Sequence, residues 1–442
     1  MAAWPSGTRL VALVSGGGTG PHDRWTVLAP ATEHRQFSVA SDPDGAELLS
    51  AMRASSPPFA ALSAADGSPL PFAGGWIGFV GYEFGQAFEP KSSRGTRQIS
   101  PDDPTASWPD AVLVRVPRAL LYSHERHEWY EVGDPTAASI AELIDPQVAV
   151  DSHARMPQPT AVHGVEPLLD SGHFTNAVAR AIEFVRAGDI FQANISQGFR
   201  ASLDGDARAW ALASLERIAP RYGAYLEIDE HHSLVSFSPE LFFSLDGQTR
   251  RALTRPMKGT RSSEAPESDL VGSEKDAAEL HMIVDLMRND FGRVCEIGSV
   301  KVDESRLLER HPTVLQTIAE VSGRLTRTLD ATDLLKACFP PGSVTGAPKI
   351  RAMQIIEELE RARRGPYCGA IGMMSGCGSA EFSVAIRTAM LTRQHDDRWN
   401  IDYRAGCGIV AESDPADELR ECLAKTRVLE LALDTHTTHA TP

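Results

Sequence analysis

Cysteine is scarce and unpatterned in this chain. Its 442 residues hold six, Cys295, Cys338, Cys368, Cys377, Cys407 and Cys422, and no two stand in a Cys-x-x-Cys pair. No His-Glu-x-x-His occurs. Neither a patterned zinc site nor a disulfide framework is expected, and buried free thiols are the default. Also absent is any run approaching the roughly 20 apolar residues of a membrane helix, so no membrane association is expected. The opening Met-Ala-Ala-Trp-Pro lacks the basic and apolar regions of a secretory signal, and a cytoplasmic protein is the expectation. Positive charge is in the minority: 43 Lys and Arg face 59 Asp and Glu, a formal net charge of -16. That balance argues against nucleic acid as a partner, because phosphate neutralisation needs clustered Lys and Arg. It leaves room for a small anionic substrate in a locally basic pocket. The glycine-rich run at 15–20 lacks a Gly-Lys-Ser/Thr ending and reads as a turn, not a phosphate loop.

What is present divides into three. Residues 1–150 read as short strands joined by Pro- and Gly-rich loops, with strand content at 9–14, 25–29, 76–84, 111–116 and 119–123. Nothing in this β-rich region carries obvious chemistry. Residues 151–170 are rich in Pro, His, Asp and Ser and read as a connection. Residues 171–435 hold the informative patterns. A helix opens at Ser171, with Phe174, Val178, Ile182 and Val185 on one stripe. The run 189–196 enters a strand with polar residues in it, and 222–228 with 233–237 form a hairpin. Glu240 follows in Ser-Pro-Glu before another strand, 241–245, and the apolar run 382–390 reads as one strand interrupted by Arg387. A buried arginine there needs a partner.

Thr254-Arg255-Pro256-Met257-Lys258-Gly259-Thr260-Arg261 places one lysine between a stiff proline and a permissive glycine. Two helices then offer carboxylates three residues apart on one face: Asp276 and Glu279 in 273–293, and Glu418 and Glu421 after Asp414-Pro415. Such a pair of faces meeting around one hard cation would suit Mg2+. Spacing alone favours ordinary solvated faces, because Glu-rich helix faces are common. The loop 339–349 runs into a helix and exposes small residues at its start, a natural anion site.

These motifs, in this order, resemble the chorismate-utilising enzymes. The resemblance covers residues 171–432 and rests on Asp-Ile-Phe-Gln-Ala-Asn, Ser-Pro-Glu, Thr-Arg-Pro-x-Lys-Gly-Thr-Arg, Lys-Asp-x-x-Glu, Asp-Leu-x-Arg-Asn-Asp, Gly-Ser-Val-Thr-Gly-Ala-Pro-Lys, Gly-Pro-Tyr-Cys-Gly, Ala-Ile-Arg-Thr and Gly-Ile-Val-Ala-x-Ser. It implies an α+β fold, an antiparallel β-sandwich with helices outside. Within the family the aminodeoxychorismate-forming branch fits most closely. That branch has a nucleophilic lysine at the position of Lys258, where anthranilate-forming relatives usually have alanine. The implied reaction converts chorismate and ammonia to 4-amino-4-deoxychorismate, toward 4-aminobenzoate and folate, through a covalent Lys258 adduct. The lysine's reactivity is expected from Arg255 and Arg261 beside it, which would disfavour its ammonium form.

The resemblance also assigns roles. Glu240 is the acid/base, Glu279 and Glu421 are Mg2+ ligands, and Asp276 and Glu418 support them. Gly259, Thr260, Tyr367, Arg387, Gly406, Cys407, Gly408 and Lys425 line the substrate, with Arg387 and Lys425 as partners for its carboxylates. Thr345, Gly346 and Lys349 lie in a loop closing over the ring. No Gly-x-Cys-x-Gly elbow occurs, so ammonia is expected from a separate glutamine amidotransferase subunit. The alternatives are anthranilate formation, or isochorismate or salicylate formation with water as nucleophile. Water-using relatives have a lysine at the position of Gln192. Three departures stand out: Gln316 replaces a frequent histidine, Cys407 replaces glycine or alanine, and the Leu-Glu-Ser motif for tryptophan is missing.

Overall fold

The computed structural model describes residues 4–5, 7–16, 25–54, 62–64, 67–95, 103–144, 161–262, 264–310, 314–395 and 397–433. The expected turn at 15–20 and connection at 151–170 therefore fall partly outside the described residues. Two large antiparallel sheets dominate. One has 11 strands and runs from Gly346–Ala347 through Gln192–Asp204, Arg398–Ile409, Thr388–His395, His232–Ser238 and Tyr222–Glu227 to Leu10–Val14, Trp25–Pro30, Arg118–Ser123 and Glu128–Gly133, with Ala161–Pro167 beside Gln192–Asp204. The other has 10 and includes Met257–Ser262, Val314–Arg324, Arg251–Arg255, Leu241–Leu245, Ala380–Val384, Ala370–Ser375 and Gly75–Val80.

The sheets face one another because the strands alternate apolar side chains inward. Val11, Val27 and Leu226 of one sheet pack into the same buried cluster as Ile77, Phe79, Val112 and Ile371 of the other. The N-terminal strands are woven into both layers: Val11 pairs with Leu226, and Ile77 with Met373. Several helices begin at a side-chain cap. Asp170, Asp206 and Ser273 accept backbone N–H bonds at the starts of Ser171–Arg186, Ala207–Ile218 and Glu274–Gly292. Glu274–Gly292 packs on Met257–Ser262 and Val314–Arg324, and Pro415–Leu433 packs on Arg398–Ile409. The two carboxylate-bearing helices thus flank different sheets.

One strand expectation is corrected. The run 382–390 is two strands in two sheets, Ala380–Val384 and Thr388–His395, with Arg387 at the crossing. Arg387 has φ 51°, a left-handed conformation that breaks any continuous strand. Residues 81–84 likewise leave the expected strand, which ends at Val80; a short helix spans Phe84–Phe88.

Candidate active site

Lys258 lies on a strand that bulges at the next residue. Pairing with Val314–Arg324 shifts register between Lys258 and Thr260, and Gly259 takes φ 69°. A side chain at Gly259 would also come within 3.0 Å of the Asp276 Cγ. The Thr317 hydroxyl donates to the Lys258 carbonyl and pins the backbone. The Lys258 side chain is largely enclosed, and its Nζ stands 3.9 Å from Glu279 Oε2. Across from it lies Gly408, where an added Cβ would fall 3.0 Å from Lys258 Nζ and closer still to the Gln192 side-chain nitrogen. Lys258, Gln192 and Gly408 therefore fill one space.

The expected cause of the lysine's reactivity is corrected. Arg255 is turned into ion pairs with Glu309 at 2.5 Å and Glu320 at 2.8 Å, and Arg261 pairs with Asp276 at 2.8 Å. Each arginine has its charge answered by a carboxylate from another element. The carboxylates facing Lys258 are those of Glu279, at 3.9 Å, and Glu240.

Glu240 sits where Ser238 leaves one sheet and Leu241 enters the other. Its backbone is locked, with its N–H on the Ser238 hydroxyl at 3.3 Å and its carbonyl accepting from Val384 N at 3.0 Å. The residue is 4% exposed. Burial pushes its carboxyl up to about 7, against the opposing influence of the Ser343 hydroxyl, the Lys258 charge, the Met257 backbone N–H and the Arg387 charge. A carboxyl poised near neutrality beside an amine can give and take a proton. Ser343 was not singled out from the sequence, although it lies inside the quoted Gly-Ser-Val-Thr-Gly-Ala-Pro-Lys run.

The two expected carboxylate partners differ. Among the described residues, the Arg387 guanidinium has no hydrogen-bond acceptor; its electrostatic neighbours are Tyr403 and Glu240. It is the basic side chain with capacity for a ligand. Lys425 is committed, donating to the Gly406 carbonyl at 2.7 Å and pairing with Glu421 at 2.8 Å. Lys349 points away from the site, into Asp290 at 2.7 Å and the Cys338 carbonyl at 2.8 Å. Gly346 and Ala347 pair with Ala193 and Gln192, so their loop is stitched to the Gln192 strand. The Thr345 hydroxyl is spent within the loop, on the Pro341 and Gly342 carbonyls at 3.2 Å. Tyr367 is buried under the Arg364 guanidinium, with Asn194 as its hydrogen-bond partner. Thr260 pairs across the sheet with Gln316, which is itself buried. The side chain of Thr260 lies outside the described residues.

Of the four expected metal ligands, Glu418 and Glu421 come together, and with them Cys407. One ligand atom from each lies within 4.8 Å of the others. Glu418 is buried and accepts from the Ser413 hydroxyl at 2.7 Å, while Glu421 is exposed. Burial pushes the Cys407 thiol up, so it is a neutral group here. Glu279 and Asp276 stand on the other helix, at Lys258 and Arg261. Glu279 and Glu421 each already attract an ammonium, from Lys258 and Lys425, as carboxylates disposed toward a cation would.

Comparisons with known proteins identify the family and the fold. The profile of the chorismate binding enzyme family matches residues 20–430. The chain is 39% identical over 375 residues to the aminodeoxychorismate synthase component 1 of Klebsiella aerogenes, covering 80% of this chain and 76% of that one. It is 34% identical over 371 residues to the anthranilate synthase component 1 of Saccharolobus solfataricus, covering 82% and 81%. Among solved structures, anthranilate synthase component I from Streptococcus pneumoniae superposes with a TM-score of 0.74 at 28% identity, over 94% of this chain and 93% of that one.

Proposed function

The chain belongs to the chorismate binding enzyme family, and we propose that it aminates chorismate to 4-amino-4-deoxychorismate with its enolpyruvyl group retained. The observation that carries this reading is Lys258. Its amine lies in an enclosed space between Gly408, Gln192 and Glu279, in electrostatic reach of a carboxyl poised near neutrality. An amine so placed serves as a nucleophile once it gives up its proton.

In the first half-reaction the neutral Lys258 amine bonds to ring C2. Both ring double bonds shift, and the C4–O bond breaks. The C4 hydroxyl leaves as water with the proton of Glu240. In the second half-reaction ammonia bonds to C4, the double bonds return, and the C2–N bond to Lys258 breaks. Glu240 recovers its proton from the new ammonium, so lysine and carboxyl end as they began. Arg387 would hold a substrate carboxylate by paired hydrogen bonds. Gln192 fills the place beside Lys258 with a neutral amide, which cannot act as the base that water would need. Gln316 likewise transfers no proton, which leaves the acid role to Glu240.

Glu279, Glu421, Glu418 and Asp276 would hold Mg2+, whose chemistry is to neutralise a substrate carboxylate. The all-oxygen character of these four carboxylates fits a hard cation. Ammonia would come from a glutaminase subunit, and the product would proceed toward 4-aminobenzoate and folate. No helix among the described residues is long and apolar enough to cross a membrane.

The test is a product assay with chorismate, Mg2+ and ammonium salt, read by mass spectrometry. Aminodeoxychorismate without pyruvate supports the reading. Anthranilate with pyruvate, or isochorismate, overturns it.

A further inference from the structure

Cys407 stands in the carboxylate site as a sulfur donor, and an all-oxygen Mg2+ site has no use for one. Its Sγ and one oxygen each of Glu418 and Glu421 lie within 4.8 Å of one another. Cys407 and Glu418 are buried and Glu421 is exposed, so the group is walled on one side and open on the other. Its Sγ donates to the Glu418 carbonyl at 3.4 Å, which fixes the thiol beside the start of the helix Pro415–Leu433. A cation already favours this place. The Lys425 ammonium sits 2.8 Å from Glu421 Oε1, 2.7 Å from the Gly406 carbonyl and 3.8 Å from Cys407 Sγ.

We propose that Cys407, Glu418 and Glu421 form a site for a thiophilic divalent cation of the zinc class, overlapping the place where Mg2+ would bind. This rests on the reading of Glu418 and Glu421 as metal-facing carboxylates. One sulfur and two carboxylate oxygens leave a fourth position open, the ligand number of a zinc site accessible to solvent. Ligand atoms around a tetrahedral zinc stand about 3.5 Å apart, given bonds of about 2.0–2.3 Å. The present group, with its ligand atoms within 4.8 Å of one another, is looser than that, and Glu421, being exposed, is the side chain free to adjust. On binding, one metal–sulfur bond forms and the thiol proton leaves to solvent. Lys425 gives up Glu421 to the metal. Carboxylates alone discriminate little between hard and borderline cations, whereas a thiolate selects strongly for the softer one. The chain would therefore take up zinc in preference to Mg2+, and zinc would compete with the cation the reaction needs.

The experiment titrates the full chain with Cd2+, a spectroscopic stand-in for zinc, and records the sulfur-to-cadmium charge-transfer absorption. Zn2+ and Mg2+ are titrated in parallel by calorimetry. The expected result is a band that saturates at one Cd2+ per chain, is displaced by Zn2+, disappears in Cys407→Ala and persists in Cys377→Ala, the variant at the one half-buried cysteine. Zn2+ affinity should fall at least ~100-fold in Cys407→Ala, with Mg2+ affinity changed less than ~3-fold. Glu421→Gln, at an exposed position, should weaken Cd2+ in a chain whose fold is undisturbed. No band in the wild type, or a band that survives Cys407→Ala, overturns the proposal. Mg2+ binding without a Cd2+ band leaves the Mg2+ reading standing and sinks only this one. A Cd2+ band without Mg2+ binding does the reverse.

Discussion

Gly408 is kept free of a side chain by Gln192, whose amide nitrogen would lie 2.0 Å from a Cβ there. A Cβ at 408 would lie 3.0 Å from the Lys258 amine, with the Gln192 amide nearer still. Gly408→Ala therefore forces the Gln192 amide aside and crowds the lysine beside it. Overpacking of this kind costs about 1–3 kcal/mol, so the variant folds with a modestly lower Tm. The same crowding costs kcat/KM at least ~100-fold, because nucleophilic attack depends on sub-ångström placement. Steady-state kinetics beside thermal unfolding checks both. Full activity in a folded Gly408→Ala would show that Lys258 does not work from this position.

Glu240 sets a pH dependence of determined sign. Its folded-state carboxyl is raised from the ordinary 4.5 to about 7 by burial. At this group the folded protein binds more protons than the unfolded chain between those values, so the contribution of Glu240 to stability is full below 4.5 and is lost as pH rises toward 7. The loss is on the order of 3 kcal/mol. Glu240→Gln cannot ionise and should remove that slope in denaturant unfolding followed across pH. As the acid for the departing hydroxyl, Glu240 acts while protonated. The alkaline limb of kcat/KM should have its midpoint near 7. A limb that is unchanged in the residual activity of Glu240→Gln would assign the titration to another group.

Lys349 and Asp290 form a buried ion pair between the loop helix and the helix that carries Glu279. Lys349→Met leaves Asp290 alone, with burial already raising its carboxyl, and should cost about 3–5 kcal/mol. Lys349→Met with Asp290→Leu should recover much of that. Chemical denaturation reads both. A stable single variant with a raised KM for chorismate would mean that Lys349 reaches substrate instead.

Arg387 should be the principal anchor of a substrate carboxylate. Arg387→Lys keeps the charge and loses the planar fork, so KM for chorismate should rise roughly 100-fold. Lys425→Gln should act more weakly on KM, because Lys425 is bound to Gly406 and Glu421. Initial-rate measurements on the two variants decide between them, and an equal or larger effect at Lys425 would reverse the assignment.

Much of this site was legible in the sequence, for reasons that differ residue by residue. Lys258 and Glu240 stand out through the family resemblance; the proline or glycine beside each marks only a constrained backbone. The hairpin at 222–238 and the helices bearing Glu279 and Glu421 follow from periodicity and caps. What could not be read depends on partners distant in the chain. Arg255 and Arg261 look as though they crowd Lys258 until Glu309, Glu320 and Asp276 arrive from other elements. Arg387 looks like an intrusion in one strand because its left-handed backbone, which divides the run between two sheets, leaves no compositional trace. Lys349 resembles a loop lysine until Asp290 claims it. The pairing of Cys407 with Glu418 and Glu421 requires the register of a strand against a helix, which spacing alone does not supply.

The central claim is that Lys258 bonds to the substrate. It is tested most directly by incubating the protein with chorismate and Mg2+ without any ammonia source, then measuring intact and peptide masses after rapid quenching. The account predicts an added mass of chorismate less one water, mapped to Lys258, absent in Lys258→Ala and discharged by ammonium as aminodeoxychorismate. An unmodified lysine in a protein that still forms aminodeoxychorismate when ammonium is added would contradict it.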